Sequence, residues 1–372
     1  MKNYKLLLSV LLVAALFLGT AFAAGGDAGD PLVSQDYLNN IFSPLAEKAA
    51  QEKLDALGKT AYDAAETRWR AAVSAAETSL GAERTAAWSE ARLKQGDIVS
   101  GLTGTQFMLL TGSAAAQLTE GVLVDVTDGS ELISGNALKT RHRYIAAEDT
   151  AAAVTVTSRT AVIDYCGDYH IAASADTPDY YAMADALCSL TLFRGTGSGI
   201  AQGFELEVQP TRIQALIMLL RLLGEESAAL ACTADVPFQD VVDWAKPYVA
   251  YAYEKGYTNG VSPKHFSPDT TASVGMYVEF VLRALGYSDI THTDVSTALD
   301  RAQAAGVVTA GEKVMLQSND FLRSDVVYLS WYALETMLPN STQTLHQKLE
   351  SVGVFTPSTY QDTQRRVTSS RL

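Results

Sequence analysis

Apolar residues along this chain follow two different rhythms. From about Ser34 to Arg92, and again from about Asp179 to Leu338, they recur at the three-to-four-residue spacing of a helix face. Between Gly96 and Ile171 they alternate with polar positions in short runs such as "GVLVDVTDGSEL", broken by Gly, Asp and Ser turns. The first stretch is rich in Ala, Glu, Lys and Leu. Punctuated by Pro44 and Gly58 and without a clean heptad seam, it predicts a helical hairpin or spacer. The alternating stretch predicts a small all-β domain, sandwich- or solenoid-like.

The second helical stretch repeats itself. "FELEVQPTRIQALIMLLRLLG" (204–224) and "FSPDTTASVGMYVEFVLRALG" (266–286) share an initial Phe, a Thr211 or Ser273 where a helix would start, and a closing Gly224 or Gly286. A weaker copy, "MLQSNDFLRSDVVYLSWYALE" (315–335), has Met315 at the Phe position and Glu335 at the last Gly. Thr211 with Gln214 forms a capping-box pattern, and Leu216, Ile217, Leu220 and Leu223 make the apolar stripe behind it. A second helix precedes each of these. In "FQDVVDWAKPYVAYAYEKGYTNG" (238–260), Asp243 is expected to cap it, with Pro247 tolerated in its first turn. Val241, Trp244, Ala245, Tyr248 and Ala252 share its inner face, and Gly256 ends it. Units of this kind share a core.

Composition narrows the setting. The chain has 372 residues, 48% hydrophobic and 19% charged, enough for two or three folded domains. Residues 1–23 are expected to be a signal peptide: Lys2 and Lys5, an apolar run from Leu6 to Leu18, then Ala21-Phe22-Ala23. No later run is long enough to span a membrane, and no covalent anchor is expected, so retention on a cell would have to be non-covalent. The formal charge of −14, or −16 once the two signal-peptide lysines are removed, argues against nucleic acid and anionic lipid as partners. Cys166, Cys188 and Cys232 are odd in number and widely spaced, which predicts buried free thiols and no metal site. Arg141 to Tyr144 with Glu148 and Asp149 reads as turn chemistry, because His142 has no second His or Cys at ligand spacing.

The landmarks Phe238, Asp240, Val241, Trp244, Ala245, Gly256, Gly260, Phe266, Pro268 and Asp269, followed by a helix ending in "RALG", resemble the S-layer homology (SLH) domain. The copy at 179–224 keeps "LFRGTG", Phe204, "PTRIQ" and "RLLG"; the third is degenerate. The expected organisation is thus multidomain α+β: signal peptide 1–23, helical region 24–95, all-β domain 96–172, SLH-like repeats 179–233, 234–290 and 291–338, and a C-terminal tail 339–372. The resemblance implies an all-α pseudo-threefold array of repeats. It also implies non-covalent binding of secondary cell-wall polysaccharide, often bearing pyruvate ketals, at the surface of a Gram-positive-type bacterium.

The family's main ligand contact is the Arg of a Thr-Arg-x-Glu motif, since a guanidinium pairs bidentately with a carboxylate and a helix N-terminus adds N–H donors. Carried over, this gives Arg212 with Gln214 and Arg323 with Asp325; the middle copy has Ser273-Val274-Gly275-Met276 and lacks the pair. Asp240, Trp244 and Lys264 complete the expected glycan-binding set. Trp244, on the apolar face, has the core as its alternative. No cofactor and no metal is implied. The chain is expected not to be an enzyme, having no Gly-x-Ser-x-Gly, His-Glu-x-x-His or phosphate loop. The alternative is a secreted structural or interaction module whose repeats have lost glycan binding.

Overall fold

The structure, a computed structural model, describes residues 38–80, 83–147, 149–175, 177–291 and 294–372. The expected signal peptide lies outside these residues, as does Glu148. Two units separate, one ending at Thr78 and the other running from Ser79 to Leu372.

Among the described residues the first unit is one helix, α1 (Ser43–Leu80), preceded by a π turn at Leu38–Phe42. It runs without a break, so it is not a hairpin. Pro44 falls in the first turn, where no N–H partner is lost. Gly58 costs about 1 kcal/mol of propensity, which the surrounding Ala, Leu, Glu and Lys outweigh. Exposed pairs at helical spacing, Lys59–Asp63 at 3.1 Å and Arg70–Glu66 at 2.8 Å, support it.

The helical region expected to reach residue 95 stops at Leu80, because residues 83–94 are a strand. β1 (Glu83–Lys94) pairs along one edge of β9 (Thr160–Ala172). β2 (Ile98–Gly101) and β3 (Gln106–Thr111) lie in tandem along the other edge. From β2 the sheet continues through β8 (Ala151–Val156) to β4 (Ala114–Glu120), and from β3 through β7 (Arg143–Ala146) to β5 (Leu123–Asp125) and β6 (Ser130–Leu132). The two wings then meet. Gly135 N and Leu138 N donate to Ala116 O and Ala114 O at 2.7 and 2.9 Å, so the antiparallel sheet is nearly closed. Inward positions at every second residue, among them Val99, Phe107, Leu109, Tyr144, Val154 and Ile163, fill it.

The C-terminal region is helical. Helix pairs α2 (Tyr180–Ser189) with α3 (Arg212–Leu222), α5 (Lys246–Glu254) with α6 (Val274–Leu285), and α7 (Ala298–Ala304) with α9 (Arg323–Ala333) share one core. Short helices α4 (Glu226–Leu230) and α8 (Ala310–Gln317) connect them. One contact recurs between pairs. Arg212 N and Ile213 N donate to Thr270 O and Pro268 O at 2.8 and 3.0 Å; Arg323 N and Ser324 N donate to Val208 O and Leu206 O at 2.9 and 3.0 Å. Each helix start is thus satisfied by the loop that follows Phe266 or Phe204 of another helix pair.

Three local expectations change. Helix α5 starts at Lys246 with Ala245 as its cap, and Asp243 instead pairs with Lys246 at the surface, 2.7 Å away. Residues 339–372 are not a loose tail: α10 (Leu345–Ser351) and α11 (Pro357–Arg366) place Leu345, Leu349, Phe355 and Tyr360 in the helical core. The cysteines are free, but Cys188 is exposed and the other two only half-buried. No helix among the described residues is long and apolar enough to cross a membrane.

Candidate functional site

Thr211 caps α3 as the sequence suggests: its Oγ1 accepts from Gln214 N at 3.4 Å, and Gln214 Oε1 accepts from Thr211 N at 3.0 Å. Gln214 is therefore a capping residue. The next residue after the cap, Arg212, turns inward. Only 5% exposed, its guanidinium carbon lies 4.9 Å from the centre of the Phe266 ring and 5.0 Å from that of Phe280. Two aromatic faces suit a cation, yet the charge itself goes unanswered. Nη2 reaches Thr258 Oγ1 at a long 3.4 Å, Nε has no partner, and no carboxylate among the described residues pairs with it. Burial, and secondarily the neighbouring Arg283, hold its pKa down at about 10.

Arg212 forms part of the wall of a cavity of about 490 Å³, lined also by Asn259 to Pro263, Met276, Glu279, Phe280, Arg283 and Val295. Sequence reasoning passed over the polar residues here. Glu279, 2% exposed, accepts from Arg283 Nε at 2.9 Å and Ser288 Oγ at 2.7 Å, and its other oxygen takes Arg301. Arg283 also donates to Asn259 Oδ1 at 3.2 Å. Among the described lining residues Glu279 is the acid, and it is shared by Arg283 and Arg301. The repeated "LR" that ends helices α3 and α6 was the available signal for Arg283, and a lone Glu on an apolar helix was the signal for Glu279.

The middle copy, which lacks its own Arg, supplies most of this cavity. Arg212 comes from the first copy and reaches across to it, so the loop ending the 238–260 stretch returns to the site. Sequence spacing cannot show a contact made between copies.

The other predicted residues have structural work. Asp240 accepts from Phe266 N at 2.9 Å and Ser267 N at 2.8 Å; burial raises its carboxyl, but these two donors outweigh it and hold it below the usual carboxylate range. It braces the loop carrying Phe266. Lys264 is exposed on the loop whose Ser262 and Pro263 line the cavity. Trp244 is 60% exposed, not in the core. Arg323 is 5% exposed, with Phe193 5.6 Å away, but its Nε donates to Phe204 O at 3.0 Å. Asp325, 1% exposed, accepts from Leu322 N at 2.8 Å and pairs with Arg159 of the β region. The acid expected to flank a glycan is an internal tie.

Asp125, Asp128 and His142 converge closely enough for their ligand atoms to hold a cation. His142 Nδ1 lies 2.8 Å from Asp125 Oδ2, and the Lys139 ammonium pairs with Asp128.

The pocket is thus built by one helix pair on the loop of another, around a buried Arg behind a Thr cap. Residues 237–273 match the S-layer homology domain family, and the chain carries an SLH domain. A 118-residue segment is 30% identical to a cell surface protein of Thermoanaerobacter kivui, covering 31% of this chain and 15% of that protein. A solved structure, dTDP-6-deoxy-D-glucose-3,5-epimerase RmlC from Legionella pneumophila Philadelphia 1 in complex with dTDP-4-keto-L-rhamnose, is 19% identical. It covers 25% of this chain and 52% of that one at a TM-score of 0.14, too low to carry an argument.

Proposed function

We propose that this is an exported, non-catalytic cell-surface protein whose SLH region binds an anionic secondary cell-wall polysaccharide and so anchors the rest of the chain non-covalently at the envelope. The observation that carries the reading is Arg212: a buried guanidinium on a cavity wall with no carboxylate partner among the described residues, beside an SLH match at 237–273. A buried charge left unpaired is costly, and a carboxylate such as a pyruvate ketal would neutralise it. The apolar wall of Phe280, Met276 and Val295 suits the ketal methyl. The recurring loop-to-helix bonds support a quasi-threefold order of the copies.

The test is retention of the chain on purified sacculi with and without their secondary polymer. Arg212→Ala should weaken binding by about 2–5 kcal/mol, the range for truncating one partner of a buried charge pair. Equal retention of wild type and variant, or on stripped sacculi, would overturn the reading.

A further inference from the structure

We propose that the groove of the third helix pair is a peptide site, filled in this chain by residues 368–372, and not a further site for wall polymer. Only that last clause rests on the glycan-binding reading. The third groove matches the Arg212 cavity position by position. After α5, Tyr257 N and Thr258 N both donate to Ala252 O, at 2.8 and 3.3 Å; after α7, Val307 N and Val308 N both donate to Ala302 O, at 2.9 and 3.2 Å. Thr309, Gly311 and Glu312 therefore stand where Asn259, Val261 and Ser262 line the Arg212 cavity. From the caps Ser273 and Leu322 onward, Tyr328 and Tyr332 stand where Glu279 and Arg283 do.

Residues 369–372 meet all five of these positions. Ser369 O accepts from the Tyr332 hydroxyl at 3.2 Å, Leu372 N donates to the Tyr328 hydroxyl at 3.1 Å, and Leu372 O accepts from Thr309 Oγ1 at 2.6 Å. A Cβ on Gly311 would lie 3.1 Å from the Leu372 carbonyl carbon, so the segment passes close over it. Between these main-chain bonds Arg371 sends Nε and Nη2 to the two oxygens of Glu312, at 2.7 and 2.9 Å, and Nη2 also to Val307 O at 2.7 Å. Its guanidinium carbon lies 5.3 Å from the centre of the Tyr332 ring. Main chain held at intervals with one side chain read between is how a groove recognises a peptide.

The charge of the groove agrees. Tyr332 replaces Arg283, and α6, whose Tyr277 packs on Phe321 at 5.8 Å, begins with Val274 where α3 begins with Arg212. Lys313, in the place of Pro263, turns to Asp300. Glu312 is fully buried, so its carboxylate needs a cation. An arginine-bearing peptide supplies one, whereas an anionic sugar would meet a like charge.

The test compares the full chain with one lacking residues 368–372, using the fluorescein-labelled peptide Thr-Ser-Ser-Arg-Leu as probe. Anisotropy should show saturable one-to-one binding to the shortened chain and binding to the full chain weaker by about tenfold or more, because the tethered segment competes. Glu312→Gln in the shortened chain should abolish binding, as should Arg371→Gln in the peptide. Circular dichroism checks that the shortened chain keeps its helices. Arg371→Glu in the full chain, which sets two carboxylates against each other, should admit the peptide as well. No binding to either altered chain, equal binding to the wild-type and shortened chains, or binding indifferent to the peptide's arginine would overturn the proposal. Calorimetry with pyruvylated wall-polymer fragments should give the same number of equivalents for the full and shortened chains; an additional equivalent in the shortened chain would refute the exclusion of polymer. If neither chain takes up polymer, the proposed function fails and the peptide titration still decides what the third groove holds.

Discussion

Arg212 is a residue that stability alone would remove. At 5% exposure it gains aromatic contacts on both faces but loses its hydration, and Arg283 adds repulsion. Its folded pKa lies below the ordinary arginine value, so the unfolded chain holds the proton more tightly. The cost is therefore present in full at neutral pH and is relieved only as pH rises through about 10. Arg212→Met keeps the bulk and removes the charge. It should raise stability in urea by about 1–4 kcal/mol while abolishing polymer binding. A variant that is less stable than wild type would mean that the guanidinium is structural. Trp244 teaches the reverse lesson. Its position predicts the core if a helix begins at Asp243, but the helix begins three residues later and the indole stays outside.

At the scale of elements, the loop between α5 and α6 is what presents the cavity wall, and two residues hold its shape. Gly260 has φ +78°, and a Cβ there would fall 2.4 Å from the Phe238 ring and 2.7 Å from His265 O. Gly260→Ala should cost more than about 1 kcal/mol and weaken ligand binding with it, read by thermal melting and titration. Asp240 closes the same loop through two backbone N–H groups. Asn at 240 has one acceptor oxygen to offer, so one N–H would face an amide, at a cost of about 1–2 kcal/mol. Because the folded carboxyl is depressed, this stabilisation is complete above the unfolded value near about 4 and is lost as pH falls through the folded one. Asp240→Asn should therefore lower the urea midpoint at pH 7, and the difference from wild type should shrink as acid protonates the folded carboxyl. Part of the site was legible in advance: the Thr211 capping box follows from local chemistry, and the Phe positions from the internal repeat and the SLH resemblance. Residues 83–94 were not. "ERTAAWSEARLK" is written in helix-forming residues, and only pairing with β9 along its length makes it a strand. The cavity was half legible for the same reason: its cap and Arg are local signals, while the partner loop is brought in by the fold.

The whole of residues 79–372 behaves as one unit because the barrel and the helices share interior. Val162 on β9 is fully buried and lies in the helical core rather than the barrel's, and Leu110 on β3 packs against that same core. The Arg92–Asp185 pair at the boundary is part-exposed, at 26% and 32%, and contributes about 1 kcal/mol or less. Apolar packing must then dominate the coupling. Val162→Ala removes two buried carbons at the junction and should cost about 1–3 kcal/mol, whereas Arg92→Gln should cost less. If the coupling is apolar, calorimetry of the wild type shows one transition for the barrel and helices together. Circular dichroism of the strands and helices in Val162→Ala then melts at one shared, lower temperature. Separate melting of strand and helix signals in the wild type would mean two independent domains that merely touch.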